Sequence, residues 1–181
     1  IFGSDEALEG KKCRSGDVTV TAKALVFNQC SGLFSGIAHG QVEYIAASDG
    51  DEVTYTYKDF LLVLSNGEEQ NFTGKIHMID GDDAASIDID NMKLVAKELD
   101  GTNLITVNYE ISNYKMNWTQ LNANDLKISS EAILKVTGGA LGDYHVSYKT
   151  TDPWVSRLLE DESIDHPYQG LLKVTDLNNS K

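Results

Sequence analysis

Three segments of this chain switch the parity of their apolar residues partway along, which leaves few folds open to it. Val53, Tyr55 and Tyr57 occupy odd positions, whereas Phe60, Leu62 and Leu64 occupy even ones, with Lys58-Asp59 between them. Ile87 and Ile89 give way to Met92 and Leu94 across Asp90-Asn91, and Val107, Tyr109 and Ile111 give way to Tyr114, Met116 and Trp118 across Ser112-Asn113. Alternation with period two belongs to β-strands, whose successive side chains point to opposite faces. A regular strand cannot hold both halves of such a pattern on one face. One inserted residue restores the facing, so the pattern predicts a β-bulge at Asp59, Asn91 and Asn113. Asp and Asn suit that position because their short polar side chains bond nearby backbone groups and tolerate unusual backbone angles. Bulges at matching heights bend their strands together and predict a sheet that curls around its apolar face.

Period-two segments run through the rest of the chain as well. They predict about nine strands: Val18 to Val26, Ile37 to Ala46, Glu52 to Leu64, Glu69 to Ile79, Ala84 to Ala96, Asn103 to Trp118, Asp125 to Val136, Tyr144 to Thr150 and Leu171 to Thr175. The connections Asp49-Gly50, Asn66-Gly67, Asp80-Gly81 and Asp100-Gly101 carry the chemistry of tight hairpins, so consecutive strands should be antiparallel neighbours. The expected fold is all-β: a strongly curved antiparallel meander, either a partly closed barrel or a sheet folded across itself. Asp152-Pro153-Trp154 reads as a helix start and predicts one short helix over Val155 to Glu160. The echo of FSGIAH (Phe34 to His39) in FTGKIH (Phe72 to His77) reads as a repeated strand. Residues 1–181 are expected to form one domain, with residues 1–16 as an N-terminal arm.

Charge and cysteine usage narrow the setting. Twenty-eight Asp and Glu against fifteen Lys and Arg give a net charge of -13, and with no basic patch to override it the chain should not bind nucleic acid. No apolar run approaches the roughly 18 residues of a transmembrane helix. The chain opens on Ile1-Phe2-Gly3, as expected of a processed or trimmed product, and its last hairpin stops at Lys181, where a return strand would follow unless the final strand is an edge. Cys13 and Cys30 flank the first expected strand and lack zinc-finger spacing, which favours one disulfide tying the arm to the body. A disulfide implies an oxidising, extracytoplasmic compartment.

Little in the sequence carries chemistry. There is no G-x-S-x-G elbow, and Gly138-Gly139-Ala140-Leu141-Gly142 leads into no helix, so it reads as a hairpin loop and not as a phosphate cradle. No catalytic residue is singled out and no cofactor is required. Asp49, Asp51, Asp80 and Asp82 gather carboxylates at two hairpin tips; solvated turns explain them, and a calcium site is the alternative. His39 and His77 fall two strands apart, about 10 Å, with no third ligand in view. Tyr55, Tyr57, Tyr109, Tyr114 and Trp118 share the apolar face; they are core residues of a sheet or the lining of a ligand groove.

Phe27-Asn28-Gln29-Cys30 and His166-Pro167-Tyr168-Gln169-Gly170-Leu171-Leu172-Lys173-Val174 resemble segments of uncharacterised secreted or lipid-anchored β-rich envelope proteins of Gram-negative bacteria. That resemblance implies a location in the periplasm, at the outer membrane or outside the cell. It also implies an envelope protein, a glycan or a lipid as partner, and brings no activity with it. The expected function is a non-catalytic binding or structural module of the cell envelope. A carrier of a small apolar ligand or lipid is the alternative, and a glycan-directed hydrolase the third reading.

Overall fold

The computed structural model describes residues 12–47, 51–81, 84–122, 124–157 and 166–178. These form one antiparallel sheet whose ten strands lie in chain order: β1 (Ser15–Val20), β2 (Ala24–Ser31), β3 (Gly36–Ala46), β4 (Glu52–Leu64), β5 (Glu69–Asp80), β6 (Ala84–Asp100), β7 (Asn103–Asn122), β8 (Asp125–Thr137), β9 (Tyr144–Arg157) and β10 (Gln169–Asp176). Among the described residues the sheet does not close, because β1 pairs only with β2 and β10 only with β9.

The bulges set the character of the sheet. Lys58 and Asp59 of β4 face only Thr73 of β5, and Asp59 takes the left-handed backbone angle φ 52°. Asn113 and Tyr114 of β7 face only Ala132 of β8, with Asn113 at φ 51°. In β6 three residues, Ile89 to Asn91, face Lys75 and Ile76 of β5; Asn91 itself stays in register with Ser112 of β7, so the extra residue belongs to that segment and not to Asn91 alone. A further bulge, unforeseen in the sequence, lies in β2, where Asn28 and Gln29 face His39 and Gln29 has φ 52°.

Glycines on the strands between the bulged ones complete the arrangement. Gly40 of β3 lies level with the β2 and β4 bulges, and a Cβ there would come within 2.4 Å of the Asp59 carbonyl oxygen. Gly74 of β5 faces the β4 and β6 bulges, where a Cβ would come within 2.6 Å of the Asn91 carbonyl oxygen. The bare backbone at Gly40 lets the rings of Phe27 and Phe60, on the strands either side, meet edge to face at 5.4 Å. The structural counterpart of Gly74 is therefore Gly40. Gly36, which the hexapeptide echo aligns with Gly74, only opens β3 opposite Leu64, so the two hexapeptides occupy different heights.

One face carries the core. Leu25, Phe27, Cys30, Val42, Tyr57, Phe60 and Met92 are buried there, with Phe34 and Phe72 packed against them. The opposite face is polar and laced by cross-strand ion pairs: Lys58–Glu43 at 2.7 Å, Lys97–Glu69 at 2.6 Å and Lys149–Glu131 at 2.7 Å. Such exposed pairs add at most about 1 kcal/mol each, so they fix which face meets water more than they stabilise it.

Two further expectations are corrected. The first expected strand, Val18 to Val26, is two strands: Thr21 Oγ1 accepts hydrogen bonds from the Lys23 and Ala24 N–H groups and turns the chain between β1 and β2. This raises the count from nine to ten. Asp152-Pro153-Trp154 does not start a helix; the described part, through Arg157, continues β9, and residues 158–160 lie outside the described residues. Two extra residues of β9 bulge out opposite Ser129 and Ser130, and this irregular stretch accommodates a proline that has no N–H to give a ladder. The Thr150 hydroxyl stands in for the missing ladder bonds, accepting from the Ser130 N–H and donating to its carbonyl, each at 2.9 Å.

Cys13 and Cys30 form the expected disulfide, with Cα atoms 5.2 Å apart and the two residues 17 positions apart in sequence. It holds the segment before β1 against the fully buried Cys30. Closing a loop of this length restrains the unfolded chain by about 3 kcal/mol. Cys13→Ala with Cys30→Ala should lose that amount in urea unfolding, and reductant should lower the wild-type midpoint while leaving the double variant unmoved.

Candidate functional site

The aromatic residues singled out from the sequence fall into two groups. Tyr55 and Tyr57 are buried in the packed half of the sheet. Burial, and then the neighbouring Tyr55, push the Tyr57 hydroxyl up to about 12, so it stays neutral and serves as core. Tyr109, Tyr114 and Trp118 are half-buried along β7 on the same face, and of the three only Tyr114 packs against the filled region. Register places Trp118 beside Ile128 and then Trp154, and Tyr109 beside Val136 and then Tyr144. Tyr109 donates to Glu98 Oε1 at 2.8 Å, and this carboxylate, followed by partial burial, drives its hydroxyl up to about 12. The Tyr114 hydroxyl, raised chiefly by burial, lies 3.2 Å from Met116 Sδ.

On β8 this face is still buried, at Leu126, Ile128, Ala132 and Val136, and it opens only toward the outer strands. Tyr144 of β9 is exposed, and on β10 Leu172 and Val174, which follow Thr150 and Tyr148 in register, are 43% and 61% exposed. Trp154 is seated against Gly170 of β10, where a Cβ would come within 2.3 Å of its indole. The sequence signal for that contact is the glycine two positions after Tyr168. The result is one continuous apolar surface, packed around phenylalanines of β2, β4 and β5, still buried along β8 and open at β10.

The expected carboxylate group is only partly described. Asp51 and Asp80 lie side by side at one end of the sheet, where the Asp80 N–H donates to the Asp51 carbonyl at 2.7 Å; Asp49 and Asp82 lie outside the described residues. Among the described residues no three His, Cys, Asp or Glu side chains are placed to share a metal ion. The histidines are further apart than the sequence suggested. His39 is level with Leu61 of β4 and His77 with Thr54, seven residues or about 23 Å along the strand. His77 Nδ1 lies 3.0 Å from Thr54 Oγ1, and its Nε2 is 3.7 Å from Glu52.

On the polar face a shallow cleft of about 200 Å³ opens over the β7 and β9 bulges, lined by Lys115, Asn117, Ser129, Glu131 and Lys149. Its one carboxylate is held by Lys149 and lies below the usual carboxylate range because of that hydrogen bond. Glu68, bonded by Asn66 and by the Leu99 N–H, is likewise lowered. Both shifts run against the raised value that a general acid requires. No helix among the described residues is long and apolar enough to cross a membrane. No protein-family model, curated protein or solved structure matches the chain.

Proposed function

We propose that the chain is a non-catalytic binding module of an oxidising, extracytoplasmic part of the cell envelope, and that it holds an apolar or lipid-like ligand against the open half of its apolar face. The bulges roll the sheet into a trough. The β2–β6 half is stoppered by its own aromatic rings, and Tyr109, Trp118 and Trp154 of the β7–β10 half line the binding surface. The observation that carries this reading is the exposure of Leu172 and Val174 on a face whose other half is packed core. Apolar surface left open in register with a core favours contact with something other than water. The disulfide supports the compartment.

The test is a titration with N-phenyl-1-naphthylamine, an uncharged apolar fluorophore, followed by energy transfer from tryptophan. Saturable binding is expected, and Leu172→Asp with Val174→Asp should weaken it at least about tenfold, since each lost apolar contact is worth about 1.5 kcal/mol. Val95→Asp, an exposed site on the polar face, should leave it unchanged. Absence of saturable binding, or equal affinity in the β10 variant, defeats the proposal.

A further inference from the structure

The two free edges of the sheet complement one another. Among the described residues β1 and β10 are each paired on one side only, so each presents a row of backbone N–H and C=O groups on the other. On the apolar face β1 carries Val18 and the exposed Val20, and β10 carries Leu172 and Val174. On the polar face β1 carries the exposed Asp17 and β10 the exposed Lys173. Neither Asp17 nor Lys173 takes part in an ion pair among the described residues. Lys173 stands directly opposite Lys149, whose charge Glu131 already neutralises at 2.7 Å, so an anion on the open side of β10 would relieve a like-charge pair.

Topology makes the match usable. With ten strands alternating in direction, β10 runs opposite to β1. The β1 of a second copy placed beside β10 therefore extends the antiparallel order with its apolar face on the same side. Setting Asp17 opposite Lys173 also sets Val18 opposite Leu172 and Gly16 opposite Val174. We propose that the protein associates with a second copy of itself head to tail, the β10 edge of one molecule pairing with the β1 edge of the next. Pairing of β10 with another β10 about its centre would bring Lys173 against Lys173, the edge lysine acting as a guard against that arrangement. A head-to-tail contact leaves a free β1 and a free β10 at the ends, so it continues into a ring or an open chain and extends the apolar face from copy to copy. This contact does not depend on what the trough binds.

The experiment is sedimentation of the intact, disulfide-bonded chain over a range of concentrations. The wild type should grow past the dimer. Asp17→Lys and Lys173→Asp should each weaken self-association at least about tenfold at low salt, with thermal unfolding unchanged because both side chains are exposed. An equimolar mixture of the two variants should recover assembly, since each then offers the other complementary edges. A wild type that stays monomeric, a dimer that neither reversal affects, or a mixture that fails to recover overturns the proposal. Mass reports assembly and fluorescence reports ligand, so either proposal can fail without the other.

Discussion

Phe60→Ala should lower the free energy of unfolding by about 3–5 kcal/mol, the range for truncating a fully packed aromatic residue. Phe60 is 4% exposed, and its ring lies 5.4 Å from that of Phe27, 5.7 Å from Phe34, 5.9 Å from Tyr57 and 6.1 Å from Phe72. Most of these pairs are edge to face, an arrangement worth about 0.5–1.5 kcal/mol beyond burial alone. The cavity left by the alanine has no neighbour free to collapse into it, because Gly40 beside it carries no side chain and is held against the Asp59 carbonyl. Urea unfolding followed by far-ultraviolet circular dichroism measures the loss. Leu104→Ala, at an exposed site, should cost under about 0.5 kcal/mol in the same assay. A Phe60→Ala loss below about 1 kcal/mol would mean that the rings do not form the core of the sheet.

How far the sequence discloses this fold can be argued residue by residue. Parity alone locates the bulges at Asp59 and Asn113, because the buried residues on either side differ in oddness and no regular strand permits that. In β6 the same reasoning finds the right segment but not the right residue, since parity registers an insertion between Ile89 and Met92 without saying which residue is extra. The β2 bulge is hidden by the turn at Thr21 to Lys23. Reading Val18 to Val26 as one strand assigns Val26 to the apolar face, whereas Leu25 and Phe27 are the buried residues. Asp152-Pro153 misleads because a local capping signal competes with a long-range ladder, and pairing with β8 and β10 prevails. The hexapeptide echo misleads because glycine answers to two different demands: opening a strand at Gly36 and facing bulges at Gly74.

The proposed binding surface is less legible than the fold, for a related reason. Tyr55, Tyr57, Tyr109, Tyr114 and Trp118 are alike in type and in facing. Whether an aromatic is core or lining depends on the neighbouring strands, and those contacts carry no local signature. The phenylalanines that separate the filled half from the open half come from β2, the loop before β3, β4 and β5. The edges are different. Asp17 and Lys173 look like ordinary solvated charges until the open sheet shows that each lies on an edge strand.

Removing Asp59 outright should be more damaging than any substitution at that site. Without the extra residue, β4 becomes a regular strand, and either Tyr55 and Tyr57 or Phe60 and Leu62 must turn to the polar face. Exposing large apolar side chains at about 1.5–3 kcal/mol each exceeds the reserve of a typical domain once two or more are involved. Asp59→Gly keeps the residue count and suits φ 52° better than any L side chain. It should therefore leave stability within about 1 kcal/mol of wild type.

The comparison that bears most directly on the bulged sheet is urea unfolding of the Asp59 deletion beside Asp59→Gly, both with the Cys13–Cys30 disulfide intact. The expected result is a near-normal transition for Asp59→Gly and, for the deletion, no cooperative transition or one weakened by more than about 4 kcal/mol. A deletion variant that unfolds at the wild-type midpoint would contradict the account, because its apolar residues would then share one face without the inserted residue.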